Sequence, residues 1–542
     1  MHYHIMRTSI RNGICLVFAL AALSACKKDF LDLEPTELPT ADQIKEAGKW
    51  NPDVPEGFVN GILSTFFKSM QSTRGNHADF AQKAFDISSD LMSGDMEMSQ
   101  TNYAWFQSPA RLVSYQKDDI MNYSVWRISY RTVSLANGFF RSVGSDESVP
   151  EKQNNPKTLY NWGQVKALRA LAYLNLAHFY GKPYSDATKS SLVVPIYRAA
   201  DDASKPGKLA TLDEVYQFIV KDLTQAADSM DKSKVVRSNK QYLNATVARG
   251  ALARAYMDMG QWEKAYDVAN TVITTQAKNY PLIAAKDILT NGFNDYKTPE
   301  FIWAININED NTGKLVSFWG HMDVFTYSYA SVGAFKGINA NLQAEIPDTD
   351  LRKGWFNASR GLPLSKFFST AKPTVQGDRT WLSDIVFMRM AEMYLIASEA
   401  AARKGDEASA KKHLLTLLKE RTAADNYAAV ETKINGLSGD DLLKEILYNW
   451  RVEMWGEGFS LTVMKRFKID IQRSGRNIYY PNQIIKWDLP VASERDIEQS
   501  SDQVAPVAAP DPTTRARLLS LSAGEASSFF MPLLPSSQKK RG

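Results

Sequence analysis

The chain has 542 residues, 64 Lys and Arg against 60 Asp and Glu, and a formal net charge of +4, a balance that implies no nucleic-acid partner. Its two cysteines, Cys15 and Cys26, both lie near the start, so the rest of the chain has no thiol for an intramolecular disulfide, a cysteine-based metal site or a cysteine nucleophile.

In chain order, the first element is an export signal. Arg7 and Arg11 precede an apolar core from Ile14 to Ala22, no charge occurs from Asn12 to Ala25, and Leu23-Ser24-Ala25-Cys26 closes the stretch. It is too short for a hydrocarbon core of ~30 Å, which needs about 20 apolar residues. The pattern predicts a lipoprotein signal over 1–25, cleaved before Cys26, with lipid attached to Cys26. Two acyl chains, each contributing ~0.8 kcal/mol per buried methylene, then hold the protein on a membrane without a transmembrane helix. The expected mature chain keeps 517 residues, the 542 less the 25 of the signal, with a formal charge near +2 once Arg7 and Arg11 are gone. No later apolar run is long enough to span a membrane. Lys27 to Thr36 reads as a charged, extended tether between lipid and fold.

Helical periodicity begins at Phe58, Ile62 and Phe66, with Leu63 and Phe67 beside them. Three later segments share one design. Asn244 to Met259 is a helix with Ala251 and Ala255 four apart, Gly260-Gln261 breaks it, and Trp262 to Thr274 resumes with Ala265, Ala269 and Ile273. That is a tetratricopeptide-like hairpin, in which small residues let two helices approach and the glycine permits a tight turn. Met390 to Ala402, Lys404-Gly405-Asp406 and Glu407 to Lys419 repeat it. A third copy is split. Val165 to Tyr180 ends at Gly181, and its partner starts at Thr211-Leu212-Asp213-Glu214, a capping-box spacing, after an inserted loop over 182–210. The turn glycines Gly181, Gly260 and Gly405 are 79 and 145 residues apart, so a continuous solenoid is not expected. The predicted fold is mostly α: helical hairpins at about 165–230, 244–274 and 389–419 form a scaffold, with a loop-rich excursion over about 277–385. Within the excursion, Phe301 to Ile305 reads as a strand and the rest as irregular segment rich in Gly, Asn, Asp and aromatic residues, the kind that carries function on a rigid scaffold.

Several motifs resemble those of the SusD/RagB family of outer-membrane nutrient-binding lipoproteins. They are Cys26-Lys27-Lys28-Asp29-Phe30-Leu31, Asp86-Ile87-Ser88-Ser89-Asp90, the hairpin helix Ala253 to Gly260, Arg389 to Ile396 with Glu399-Ala400, and Glu453 with Glu457-Gly458 before Lys465-Arg466. The resemblance implies one nutrient-binding domain over 26–504, exposure at the cell surface on the outer membrane, and capture of glycans or other polymer fragments for a SusC-like TonB-dependent transporter. Lys27-Lys28-Asp29 is compatible with the export sequence of such proteins. The chain departs from the family where Ser460 and Val463 replace an Arg and Asp pair after Glu457-Gly458, and where the segment 505–542, rich in Ala, Pro and Ser, follows the closing Trp487 to Glu494; that tail is expected to be poorly ordered.

Catalysis has weaker support in the residues. The acidic groups Asp90, Asp95 and Glu97, and Asp348 with Asp350, sit beside Ser and Gly and read as solvated loop or turn chemistry rather than as the facing carboxyl pair of a glycoside hydrolase. His77, His178, His321 and His413 are widely spaced, with no His-Glu-x-x-His frame. No catalytic residue, metal ligand or cofactor is assigned. Ring faces are the better candidates, because the C–H face of a sugar stacks on them while its hydroxyls meet polar neighbours. The runs Asn102 to Gln107 and Phe318 to Tyr329 have that mixture, and Asn102, Trp105, Phe106, Trp319, Tyr327 and Tyr329 are the candidate ligand contacts, each with a core reading beside it. Trp162, Trp262, Trp450 and Trp455 are assigned to packing. The expected function is capture of an oligomeric nutrient; the alternatives are a surface glycan hydrolase and a helical-repeat adaptor without small ligand.

Overall fold

Side-chain caps and small apolar residues define the helical part of the protein. In the computed structural model, residues 54–489 are described except 73–74, 117–118, 150–153, 203–204 and 371–377; the predicted signal, Cys26, the tether and the 505–542 tail lie outside the described residues. The chain starts with α1 (Val54–Ser64) and α2 (Gln82–Ser93), then β1 (Met96–Met98), one turn α3 (Gln107–Ala110) and the long α4 (Ile120–Val143). Next come α5 (Pro156–Tyr180), the short hairpin β2 (Leu192–Pro195) and β3 (Leu209–Thr211), α6 (Leu212–Ser233), α7 (Ala245–Asp258) and α8 (Trp262–Gln276). The excursion contains β4 (Phe301–Ile305), α9 (Phe318–Met322), β5 (Lys336–Ile338), α10 (Ala340–Glu345) and β6 (Ile385–Arg389). It is followed by α11 (Met390–Arg403), α12 (Glu407–Lys419), α13 (Tyr427–Gly436), α14 (Gly439–Glu453), α15 (Ser460–Phe467) and the pair β7 (Ile471–Gln472) and β8 (Ile484–Ile485). The fold is mostly helical, and no helix among the described residues is long and apolar enough to cross a membrane.

All three predicted hairpins form. Thr211 caps α6 in a complete capping box with Glu214, Asn244 accepts from the Val247 N–H to start α7, and Asp406 does the same for Ser409 in α12. Gly260 and Gly405 have φ of +67° and +88°, the left-handed turn their spacing implies. Gly181, grouped with them by sequence, has φ of −92°; a Cβ there would sit 2.5 Å from the Ala177 carbonyl oxygen, so this position serves close approach instead. The first helix is shorter than its periodicity, ending at Ser64, and Phe66 packs into the core from the turn that follows.

Sequence distance does not separate the hairpins. Each helix from α4 to α8 packs on the next, α11 then packs on α8, and α12 on α11. The helical layer is thus continuous in space, a correction to the expectation drawn from the spacing of the turn glycines. Its cause is the neck of the excursion: β4 and β6 pair antiparallel, Phe301 with Arg389 and Ile305 with Ile385, and return the chain to the edge it left.

That neck is tied by buried charge. Arg389 donates to Glu300 at 2.9 Å, Glu453 at 2.6 Å and Glu457 at 2.9 Å; Arg421 reaches Glu453 at 2.9 Å, Arg352 pairs with Asp350 at 2.7 Å, and Lys366 with Glu457 at 2.8 Å. Four cations face four carboxylates in a region without solvent, so the set is balanced. Burial pushes the Glu457 carboxyl up, but Arg389 and Lys366 outweigh it and bring it down to about 2. Arg421, Arg389 and Arg352 likewise hold Glu453 well below the usual range against its burial.

Candidate functional site

The two aromatic runs singled out in the sequence meet in the structure. β1 pairs antiparallel with β5, Met98 opposite Lys336, and the pairing continues as Ser99 donates to the Phe335 carbonyl at 3.3 Å and Phe335 to that of Gln100 at 3.0 Å. Segments 99–107 and 327–335 therefore run side by side. Gly333, at φ +106°, lies against the Asn102 amide, where any side chain would collide, and this close approach lets Asn102 donate to the Val332 carbonyl.

On this frame sits a group of exposed and half-buried rings. Tyr103, 46% exposed, meets Tyr329 edge-on at 4.9 Å between centroids. Trp105 stacks on His77 at 5.0 Å and 11°, and His77 Nδ1 hydrogen-bonds the Tyr329 hydroxyl. Two residues away, Tyr327 is 37% exposed, with the Arg379 guanidinium 4.0 Å over its ring and Trp381 6.4 Å to one side. Trp381 is fixed by its indole N–H, which donates to the Tyr327 carbonyl at 2.8 Å, and Tyr327 N–H donates to the Asp378 carbonyl at 3.0 Å. Ring faces bordered by Asn102, Asp378 and Arg379 can stack against an apolar face and offer hydrogen bonds at its rim.

Three of the six candidate contacts are corrected. Trp319 is buried, 2% exposed, its indole N–H donating to the Asp384 carbonyl at 3.2 Å and its ring edge-on to Phe318; α9 turns it inward after the Ser317 cap. Phe106 is also buried, packed on Phe80 and His321. Tyr329 is buried, 6% exposed, with its ring stacked on His321 at 4.9 Å. Asn102, Trp105 and Tyr327 stay at the surface, and Tyr103, His77, Arg379 and Trp381 join them. Trp381 carries the signal that picked out Trp105, an aromatic among polar residues without helical period; nothing local marks His77, which reaches the site from a distant segment.

The acidic clusters are corrected too. Asp90, Asp95 and Glu97 are fully buried rather than solvated. Asp90 accepts from the Gly456 N–H at 2.6 Å and the Ser460 N–H at 3.2 Å, and burial lifts its carboxyl to about 7 despite these bonds. Asp95 pairs with Arg451 at 2.7 Å, and Glu97 accepts from the Ser474 N–H and hydroxyl, both at 2.5 Å. Asp350 is buried against Arg352, while Asp348 is exposed beside Lys353. Asp90 thus braces the turn around Glu457-Gly458, while Asp95 ties to α14 and Glu97 to the segment after β7. A separate cleft of about 80 Å³ lies beside α15. Its polar groups are already engaged: Arg254 pairs with Glu392 at 2.5 Å and Arg466 with Glu399 at 2.8 Å, and His178 Nε2 hydrogen-bonds Asp258 at 2.7 Å. Among the described residues, no group of three or more His, Cys, Asp or Glu is placed to hold a metal ion. Of the tryptophans assigned to packing, Trp162, Trp450 and Trp455 are buried, and Trp262 is half-buried under Arg403.

Comparison with known proteins agrees with this architecture. A model of the SusD family matches residues 327–533, and a model described as "Starch-binding associating with outer membrane" matches 59–257. No curated protein matches the chain. Among solved structures, a SusD-like carbohydrate binding protein from Bacteroides vulgatus ATCC 8482 is 25% identical, with TM-score 0.64, covering 78% of this chain and 84% of that one. A SusD superfamily protein from Bacteroides thetaiotaomicron VPI-5482 is 20% identical with TM-score 0.66, over 84% of this chain and 98% of its own. A laminarin binding SusD-like protein is 16% identical with TM-score 0.54, over 76% and 90%. With two family stretches in order along the sequence and the same helical fold over most of its length, the chain belongs to the SusD/RagB family.

Proposed function

We propose that the protein captures oligosaccharides on the ring faces of Tyr103, Trp105, Tyr327 and Trp381, at the outer membrane, as a Cys26-linked lipoprotein that passes its ligand to a SusC-like TonB-dependent transporter. The observation that carries this reading is the convergence of two distant segments into one exposed aromatic surface with a polar rim. The starch-binding, outer-membrane-associated family and the carbohydrate- and laminarin-binding neighbours that the chain resembles support a glycan as the ligand class and the outer membrane as the place. The protein binds and does not cleave: the acids that sequence singled out are engaged with backbone N–H groups or basic side chains, which ties them to the fold rather than to a hydrolytic pair.

Affinity electrophoresis of the mature protein through gels containing soluble starch, laminarin and other polysaccharides tests the reading. Retardation by at least one glycan is expected, with Tyr103→Ala and Tyr327→Ala each weakening it about tenfold, ~1.4 kcal/mol, at an unchanged melting temperature. Free passage of the wild type through every gel sinks the proposal, and release of shorter products from a glycan turns it to the hydrolase reading. The anchor is tested separately by Cys26→Ala, which is expected to leave salt-washed membranes; its retention there removes lipidation. Co-purification of an outer-membrane β-barrel protein from detergent extracts tests the partner, and its absence from extracts that retain the glycan-binding protein counts against it.

A further inference from the structure

Beneath the aromatic surface lies a chain of buried bases for which glycan stacking supplies no explanation. Lys336, on β5, is 2% exposed, and its Nζ is 3.5 Å from His321 Nδ1 and 5.1 Å over the Phe106 ring. His321 is fully buried, stacked between Phe80 at 5.2 Å and Tyr329 at 4.9 Å. Its Nε2 bonds the His77 carbonyl at 2.7 Å. A carbonyl only accepts, so Nε2 carries the proton and the neutral ring turns its lone pair at Nδ1 toward the lysine amine. His77 in turn holds the Tyr329 hydroxyl and stacks on Trp105. Lysine, two histidines, tyrosine and tryptophan thus form one connected stack from the interior to the surface.

The groups around the lysine do not neutralise a positive charge there. His321 faces it from α9, with His77 beyond. In the loop after α9, Asp323 accepts from the Phe325 and Thr326 N–H groups, and Tyr329 offers a hydroxyl already bonded to His77. From the segment before α2, Asp79 accepts from the Ser72 N–H and hydroxyl. Glu97 on β1 is adjacent to Met98, the residue opposite Lys336, and so points to the other face of the pair, where it meets Ser474. Arg360 covers the Phe335 ring beside it. No carboxylate forms an ion pair with Lys336 among the described residues.

We propose that Lys336 and His321 are positioning residues, a pair of uncharged buried bases that keep Tyr329, His77 and Trp105 in register, so that the surface loses affinity when the pair takes up protons. The regulation rests on the glycan-capture reading; the placement of the bases does not. Burial holds the Lys336 amine down at about 7 and His321 well below its ordinary 6.5. A group whose pKa is depressed in the ordered arrangement disfavours that arrangement as pH falls. For Lys336 the loss accrues from its ordinary 10.5 down to about 7 and then levels off, and His321 adds a further loss below 6.5. Affinity therefore rises with pH between 6 and 9.

The test measures two quantities on the full mature chain at pH 6, 7, 8 and 9: the affinity for soluble starch and for laminarin, and hydrogen–deuterium exchange of segments 99–107 and 327–335 corrected for intrinsic rates. Affinity is expected to rise at least about threefold from pH 7 to 9, below the limit of about tenfold per pH unit for a fully coupled proton, and exchange of both segments to slow in parallel. Lys336→Met, uncharged and of similar length, is expected to flatten both profiles above pH 7. His321→Gln, which keeps a donor for the His77 carbonyl, is expected to remove the remaining dependence between pH 6 and 7. Flat wild-type exchange, or equal pH dependence in wild type and Lys336→Met, overturns the proposal. Failure of either glycan to bind at any pH overturns the capture reading instead, and the exchange profiles still decide the role of the bases.

Discussion

In the hairpins α7–α8 and α11–α12, Ala251, Ala255, Ala265, Ala269, Ala397 and Ala400 are all fully buried, and helices touch through methyl groups. In the excursion between them, the buried side chains are Trp303, Trp319, Trp355 and Phe367, and the neck is held by Arg352, Lys366, Arg389 and Arg421 against Asp350, Glu300, Glu453 and Glu457. Both regions are dry, yet they are stabilised differently. Helix-on-helix packing by small residues is the sum of many weak, similar contacts. The excursion depends on a few large rings and on charges that are tolerable only as a complete set. A scaffold of the first kind accepts insertions at its turns, and a region of the second kind can hold irregular backbone rigid enough to present a surface.

The sharpest way to break the contrast is Arg389→Ala. It leaves four buried carboxylates facing three cations, with Glu300, Glu453 and Glu457 each keeping only Arg421, Arg352 or Lys366 as partners, and the loss in denaturant unfolding is expected to fall in the ~3–5 kcal/mol typical of breaking a buried pair. A loss below about 1 kcal/mol would mean that solvent reaches the neck. Trp319→Ala, which empties a ring-sized space in the excursion, is expected to cost ~3–5 kcal/mol; a glycan-binding defect at an unchanged melting temperature would return Trp319 to the surface. Acid titrates the charge network as a set. Glu457, ionised in the fold down to about 2 against its ordinary 4.5, contributes ~3 kcal/mol above pH 4.5, and this contribution is lost as the pH falls from there toward 2. Urea midpoints measured at pH 5, 4 and 3 are expected to fall in that order for the wild type and less steeply for Glu457→Gln. The smallest effect belongs to the helical layer. Gly260→Val forces a β-branched residue to φ +67°, with the nearest atom to its Cβ, on Trp262, at an uncrowded 3.5 Å, so only backbone strain of ~1–3 kcal/mol is expected. An unchanged melting temperature would show that the turn can relax.

The helical hairpins were legible because their determinants are local. Asn244, Thr211 and Asp406 cap the helices they precede, and alanines at four-residue spacing mark the contact face. The same local reasoning misjudged Asp90, Asp95 and Glu97. Acids beside Ser and Gly have loop chemistry by composition, but here their partners, Gly456, Arg451 and Ser474, come from more than 350 residues away. It also overestimated Trp319, whose neighbourhood of Gly, Ser and Asp is polar in sequence and apolar in space, since Phe318, Phe367 and Trp455 close around that region from three separate segments.

By itself, the sequence determined the helical hairpins, the Thr211 capping box, the turns at Gly260 and Gly405 and the strand Phe301–Ile305, and it singled out two separate aromatic runs as candidate ligand contacts. These follow from interactions within about a dozen residues, where periodicity and capping leave little freedom. Only the tertiary structure decided that the hairpins join into one layer, which rings of the two runs face outward, and which acids are structural. Each of those outcomes depends on burial, and burial is set by residues far apart in the chain that come together when β4 meets β6 and β1 meets β5.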